Sequence, residues 1–281
     1  MIQMHHARAG LLELPSAANN SPLELLVSQK VYRAVGGSLW VITAGRTRFR
    51  LTRKFEGLRD SEINDVMSWF EDLPWQVETF EFRQSQPGTE TLAAFPGCRV
   101  IGPPKVTKGS FNDWDLTVVI GFPVLPVTQN ANTGWNGYVA SPGNKAPFIT
   151  LGHPTPGALR LPSPANQSEQ ETDVNQSLIE SPAGVERGWQ RGQQYYRIGR
   201  KFESLTDDQL KRCVDWFEAI DWQGSTFTYR QVVPGHGRNV RTSFFGVRLW
   251  GIPKVTKVCD NIWDVDAMFE FPTHPNIERG S

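Results

Sequence analysis

Apolar residues recur along this chain with two spacings, and the spacing decides the element. Phe49, Leu51 and Phe55 alternate with Arg46, Arg48 and Arg50, the pattern of a strand with one face on a core. Ile63, Val66, Met67, Phe70 and Leu73 then fall three and four apart, which predicts an amphipathic helix. Alternation returns at Phe80 and Phe82, and Gln86-Pro87-Gly88 reads as a turn. Arg99 to Ile101 reads as the returning strand. Trp114, Leu116, Val118 and Ile120 mark one face of a last strand that ends near Phe122.

The whole series comes twice. Tyr196, Ile198 and Phe202, set against Tyr195, Arg197 and Arg200, repeat the first strand. Leu210, Cys213, Val214, Phe217 and Ile220 repeat the helix; Phe227 and Tyr229, then Trp263, Val265, Ala267 and Phe269, repeat the later strands. Shared words fix the offset. Arg53-Lys54-Phe55-Glu56 and Trp69-Phe70-Glu71 return 147 positions on as Arg200-Lys201-Phe202-Glu203 and Trp216-Phe217-Glu218. Pro104-Lys105-Val106-Thr107-Lys108 returns 149 positions on as Pro253-Lys254-Val255-Thr256-Lys257. The two extra residues belong to the hairpin that follows Phe227, where a turn tolerates insertion.

A chain of 281 residues with this repeat reads as two domains, 1–128 and 152–281, joined by a Pro/Gly/Asn-rich linker at 129–151. Each copy, at roughly 120 residues, is long enough for its own core without metals or disulfides. The expected fold is mainly β with one helix per domain. Each copy opens on Leu-x-Leu-Pro (Leu12, Leu14, Pro15; Leu159, Leu161, Pro162), which suits a short edge strand or an extended arm because proline lacks a donor. Residues 17–37 lack clear periodicity and read as loop with one or two short strands, Glu24 to Val27 for example. Thr206-Asp207-Asp208-Gln209 has the spacing of a capping box. Arg59 holds that position in the first copy, so Asp60 or Ser61 is the expected cap.

Charge narrows the function. Lysine and arginine number 29 against 29 acidic residues, so no strong field favours sequence-specific nucleic-acid binding or an anionic membrane. Met-Ile-Gln-Met-His-His lacks the basic start and apolar core of a signal peptide, and no apolar run is long enough to span a bilayer. The three cysteines, Cys98, Cys213 and Cys259, stand at non-equivalent positions, so reduced, structural thiols are expected; Cys213 replaces Val66 in the helix stripe.

Candidate chemistry is sparse. No phosphate loop, dinucleotide fingerprint, zinc-protease, nucleophile-elbow or paired Cys-x-x-Cys motif occurs. His6 and His153 match between copies without a local carboxylate or thiol, and His5-His6 reads as exposed. Glu56, Asp60, Glu71 and Asp115 recur as Glu203, Asp207, Glu218 and Asp264, but helix-start and strand-face positions suit structural roles better than acid–base catalysis. No catalytic, metal or cofactor site is therefore expected. Six of the ten tryptophans form matched, core-side pairs (Trp69/Trp216, Trp75/Trp222, Trp114/Trp263), whereas Trp40, Trp135, Trp189 and Trp250 are unmatched. The candidate assembly contacts are Arg46, Arg48 and Arg50 as a basic stripe, Trp135 and Tyr138 in the linker, and Trp189 and Trp250. The plainer reading of the stripe is a solvated strand face, since Gln193 and Tyr195 replace two of its charges in the second copy.

The order of elements, with its Leu-Pro start, Arg-rich strand, helix ending in Trp-Phe, Phe-x-Phe/Tyr-Arg strand and closing Trp-Asp strand, resembles a family of tailed bacteriophages. These are the minor tail proteins related to phage lambda minor tail protein M and the distal tail proteins. The resemblance covers both copies, although the usual member has one. It implies a β-sandwich-like fold packed by one helix and a structural role in the virion tail tip or baseplate. The partners it implies are the tail tube and hub, around a DNA channel, after assembly in the host cytoplasm. With two copies per chain, a trimer of pseudo-sixfold symmetry is the preferred ring and a hexamer the other. The alternative is a carbohydrate- or receptor-binding module of the tail that uses exposed aromatics.

Overall fold

The computed structural model describes residues 1–33, 39–73, 78–85, 92–109, 113–127, 148–162, 164, 170–173, 176–180, 186–190, 195–234, 239–259 and 261–273. Its first half comprises β1 (Ile2–His6), β2 (Gly10–Leu14), β3 (Ser21–Leu26), β4 (Gln29–Arg33), β5 (Leu39–Thr43) and β6 (Arg48–Leu58). Helix α1 (Asp60–Asp72) follows, then β7 (Phe80–Ser85), β8 (Leu92–Val100), β9 (Lys105–Lys108) and β10 (Trp114–Phe122). The second half runs β11 (Phe148–His153), β12 (Gly157–Pro162), β13 (Gln170–Asp173), β14 (Gln176–Glu180), β15 (Glu186–Gln190) and β16 (Tyr195–Thr206). It closes with α2 (Asp207–Ala219), β17 (Phe227–Pro234), β18 (Asn239–Leu249), β19 (Lys254–Cys259) and β20 (Ile262–Phe271). The fold is mainly β, with two helices and one antiparallel sheet of 16 strands.

Pairings repeat at the sequence offsets. β6 pairs β10 as β16 pairs β20, and the register slips at the same place in both, between Trp114 and Leu116 and between Phe202 and Leu205. Gly57 (φ +70°) and Ser204 (φ +58°), 147 positions apart, take the left-handed turn that each slip requires. The Leu-Pro segments form β2 and β12, which are edge strands as expected. β8 and β18 are longer than the periodicity suggested and turn the sheet by pairing only briefly with the final strand, as at Ile120↔Val100 and Arg248↔Glu270. β11 begins at Phe148 and pairs with both β12 and β17, so the strand reaches into the stretch expected as linker.

Core packing follows the predicted faces. Ile63, Val66 and Phe70 of α1, and Leu210, Cys213, Val214 and Phe217 of α2, are buried. Trp69 donates its indole N–H to the Gly10 carbonyl at 3.2 Å, and Trp216 does the same to Gly157, so each helix is tied to its edge hairpin. Trp114 and Trp263 donate to Asp60 and Asp207 at 2.5 Å, joining the last strand to the helix start. The Thr206 capping box forms, with Gln209 accepting from the Thr206 N–H at 2.8 Å. In α1 the cap is Arg59, whose N–H donates to Glu62 at 2.8 Å. Asp60 and Ser61 do not cap, because Asp60 is engaged by the strand indole.

Two further expectations are corrected. Arg200 lies on the core face of its strand rather than opposite it, and so does its counterpart Arg53, each 4% exposed. Arg53 meets Gln84 at 2.6 Å. Arg200 lies beside Tyr229, whose phenol is raised above its ordinary range by burial, partly offset by Arg200. His6 is buried rather than exposed. Its Nδ1 accepts from the Arg8 and Ala9 N–H groups, which leaves the ring proton on Nε2, 2.8 Å from Glu78.

Candidate functional site

Where the halves meet, the sheet continues without a break. β3 of the first half pairs antiparallel with β19 of the second, Leu23 opposite Val255, Pro22 opposite Thr256 and Ser21 opposite Lys257. On its other side β3 pairs with β6, Leu23 opposite Leu51. The result is a run of strands in the order β13-β16-β20-β19-β3-β6-β10-β9. Local sequence explains the seam. Ser21, Leu23 and Leu25 are buried, alternating with exposed Pro22 and Glu24, so β3 lays one face on the core and has both edges paired.

A second contact holds the seam. The β4–β5 hairpin reaches the second half, where Gln29 Nε2 donates to the Asp221 carbonyl at 3.0 Å. Thr43 Oγ1 donates to the Asp221 carboxylate at 2.5 Å. Asp221 is itself in the left-handed region (φ +57°) just past the end of α2, and its carbonyl also accepts from the Gly224 N–H at 2.8 Å. The outer positions of the hairpin are apolar: Val31, Tyr32, Ile42 and Trp40 are exposed, Trp40 by 71%.

Arg46 lies before β6 rather than in it, because the strand starts at Arg48. It lines a cleft of about 840 Å³ between the halves, facing a wall that includes Lys211, Asp215 and Asp221. Arg48 is exposed and Arg50 half-buried on the polar face of β6. The structure therefore separates Arg46 from the other two arginines of the stripe. Trp250 follows β18, and the Arg197 guanidinium lies 3.6 Å over its ring. Trp189 falls in β15, which pairs with β14. Trp135 and Tyr138 lie outside the described residues.

Electrostatics distinguish the halves more than packing does. Across one row of the second half, Glu171, Arg197, Glu270 and Arg248 stand side by side on β13, β16, β20 and β18. Glu270 is 1% exposed and lies 3.5 Å from Arg197 and 3.6 Å from Arg248. The matching row in the first half is Glu24, Arg50, Gly121 and Arg99, with no carboxylate between the arginines. Further along the same strands the charges of the two halves agree. Lys54 bridges Glu56 and Asp115, Lys201 bridges Glu203 and Asp264, and those hydrogen bonds raise both ammonium pKa values.

All three cysteines are free; Cys98 and Cys213 are buried and Cys259 is exposed. Burial pushes the Cys98 and Cys213 thiols up to about 12, far from the range of a nucleophile. Among the described residues no three His, Cys, Asp or Glu side chains gather where they would hold a metal ion, and no helix is long and apolar enough to cross a membrane. What the geometry does build is a strand-to-strand joint, and the strands that make it were not legible as functional in the sequence. No protein-family model matches the chain, and no curated protein matches its sequence.

Proposed function

We propose that this chain is a structural protein of a bacteriophage tail tip or baseplate, forming a ring that joins tail tube to hub around the DNA channel. In this reading the chain is two tandem homologous β-sandwich-like domains, each packed by one helix. The observation that carries it is the β3–β19 seam, which joins equivalent copies through non-equivalent edges. A head-to-tail joint between like units is what a cyclic assembly is made of, whereas a two-fold joint stops at a pair. The preferred assembly is three chains, giving six like units for a sixfold tube and three chain-specific faces for a threefold hub. The Glu270 row, which the first half lacks, would make the two units of each chain distinguishable within the ring.

Electron microscopy of assembled tails carrying a labelled version of this chain tests the proposal. Label in a ring between tube and hub supports it; label at fibre tips, or absent from virions, overturns it. Binding of intact protein to a glycan array, abolished by Trp250→Ala or Trp135→Ala, favours the carbohydrate-binding module instead.

A further inference from the structure

The seam uses one edge of each half, and among the described residues the matching edges are unpaired. β3 is covered by β19, while its counterpart β13 pairs, among the described residues, with β16 alone. β19 is covered by β3, while its counterpart β9 pairs, among the described residues, with β10 alone. We infer that β13 of one chain and β9 of a second copy pair antiparallel as β3 and β19 do, with Gln170 opposite Val106.

Register supports this, because both open edges stand in the same place on their sheets as the covered ones. Gln170 faces Ile198 as Leu23 faces Leu51, all offset by 147. Val106 faces Leu116 as Val255 faces Val265, all offset by 149. Lysines on an edge strand commonly guard it against pairing. Here they do not, since β19 carries the same Lys-Val-Thr-Lys as β9 and is covered nonetheless.

Charge selects the partner. One step past the last seam pair, Leu23 with Val255, come Glu24 and Lys254, and the same step between chains sets Lys105 opposite Glu171. In that register Glu171 of β13 is the residue that stands opposite a β9 lysine, Lys105. Pairing β9 with another β9 would set lysines against lysines, and β13 with β13 carboxylates against carboxylates, which cross-strand pairs disfavour. The hairpin follows suit. β4–β5 clasps the neighbouring half at the seam, whereas its counterpart β14–β15, in the same register at offset 147, pairs only with itself among the described residues. The second half thus offers a neighbour both parts of the joint.

Proline locates the hydrogen bonds. Pro22 has no N–H to give Thr256, so the hydrogen-bonding pair falls one step on, at Leu23 and Val255. Gln170 and Val106 inherit that role. Lys105 and Glu171 then form a non-hydrogen-bonded pair, whose Cα atoms approach to about 4.5 Å, within the span of a disulfide.

The inference deepens the ring reading above, and its test reads the contact alone. In the full chain with Cys259→Ser, Lys105→Cys and Glu171→Cys are made as separate variants and oxidised singly and mixed. The mixture is expected to give a disulfide-linked dimer on a non-reducing gel, with neither variant alone doing so. Self-linking of either variant as fast as the mixture, or no linking while both retain the wild-type circular dichroism, overturns the inference. Val106→Pro removes the outward donor and leaves the β9–β10 ladder intact. It is expected to weaken self-association about tenfold or more with unchanged thermal unfolding. Unchanged association of that variant also overturns the inference. A chain that crosslinks in this register yet never enters a virion overturns the tail reading and leaves the contact standing.

Discussion

Trp114 and Trp263 make the same bond in different surroundings, which allows burial to be weighed against chemistry. Trp263 is fully buried and donates at 2.5 Å to Asp207, itself 6% exposed. Trp114 donates at 2.5 Å to Asp60 in contact with solvent. Replacing either by Phe deletes the donor. Water re-solvates Asp60, so Trp114→Phe is expected to cost about 1 kcal/mol. Water does not reach Asp207 in the same way. Trp263→Phe loses a hydrogen bond to a buried carboxylate, about 1.5–3 kcal/mol, and vacates part of a filled site, about 1–2 kcal/mol more. Buried Lys257, whose ammonium lies 5.3 Å from the Trp263 ring, also loses the better cation–π face. The expected sum is about 3–5 kcal/mol. Urea unfolding followed by far-ultraviolet circular dichroism measures both variants without relying on the deleted fluorophore. Equal costs for the two substitutions would refute the reasoning, because they would mean that burial of the carboxylate adds nothing.

Gly57 and Ser204 occupy the same left-handed turn, so Ser204→Gly should stabilise the chain by about 1 kcal/mol and Gly57→Ala should destabilise it by a similar amount, read as opposite shifts in urea midpoint. The Cys213 thiol, raised by burial to about 12 from 9.0, stays protonated in the native state while the unfolded thiol ionises above pH 9. Stability is therefore lost as pH rises from about 9 to 12, on the order of 1 kcal/mol per pH unit for this group, and Cys213→Val should flatten that part of the pH–stability curve. Glu270→Ala leaves Arg197 and Arg248 without their shared carboxylate and should cost about 3–5 kcal/mol in chemical denaturation, whereas Glu24→Ala, at an exposed position of the first-half row, should cost under about 1 kcal/mol.

Long elements with a clean period were legible in the sequence. The two helices and the strands ending at Phe122 and Phe271 are where the apolar spacing puts them, because each buries one face on a core. The joint was not legible. β9 is Lys-Val-Thr-Lys and β19 is Lys-Val-Thr-Lys-Val-Cys, and neither short run has the alternation that marks a strand. β3 alternates Ser21, Leu23 and Leu25, yet Pro22 argues against a strand paired on both edges; it fits because it stands at a pair that needs no donor. Arg200 was misplaced for a related reason, which applies to Arg53 as well. Alternation alone puts a guanidinium on the core side, and a buried partner, Gln84 or Tyr229, makes that tolerable only once distant strands are brought together. Edge pairing and buried polar partners are long-range facts, and period and composition carry little trace of them.

Native mass spectrometry of the full chain at assembly concentrations tests the central claim most directly, because a head-to-tail joint either closes or does not. The account predicts a closed ring, three times the 31.6 kDa chain in its preferred form, that falls to single chains in Val106→Pro. A chain that stays monomeric at every concentration, or forms only two-fold dimers indifferent to that substitution, would contradict it.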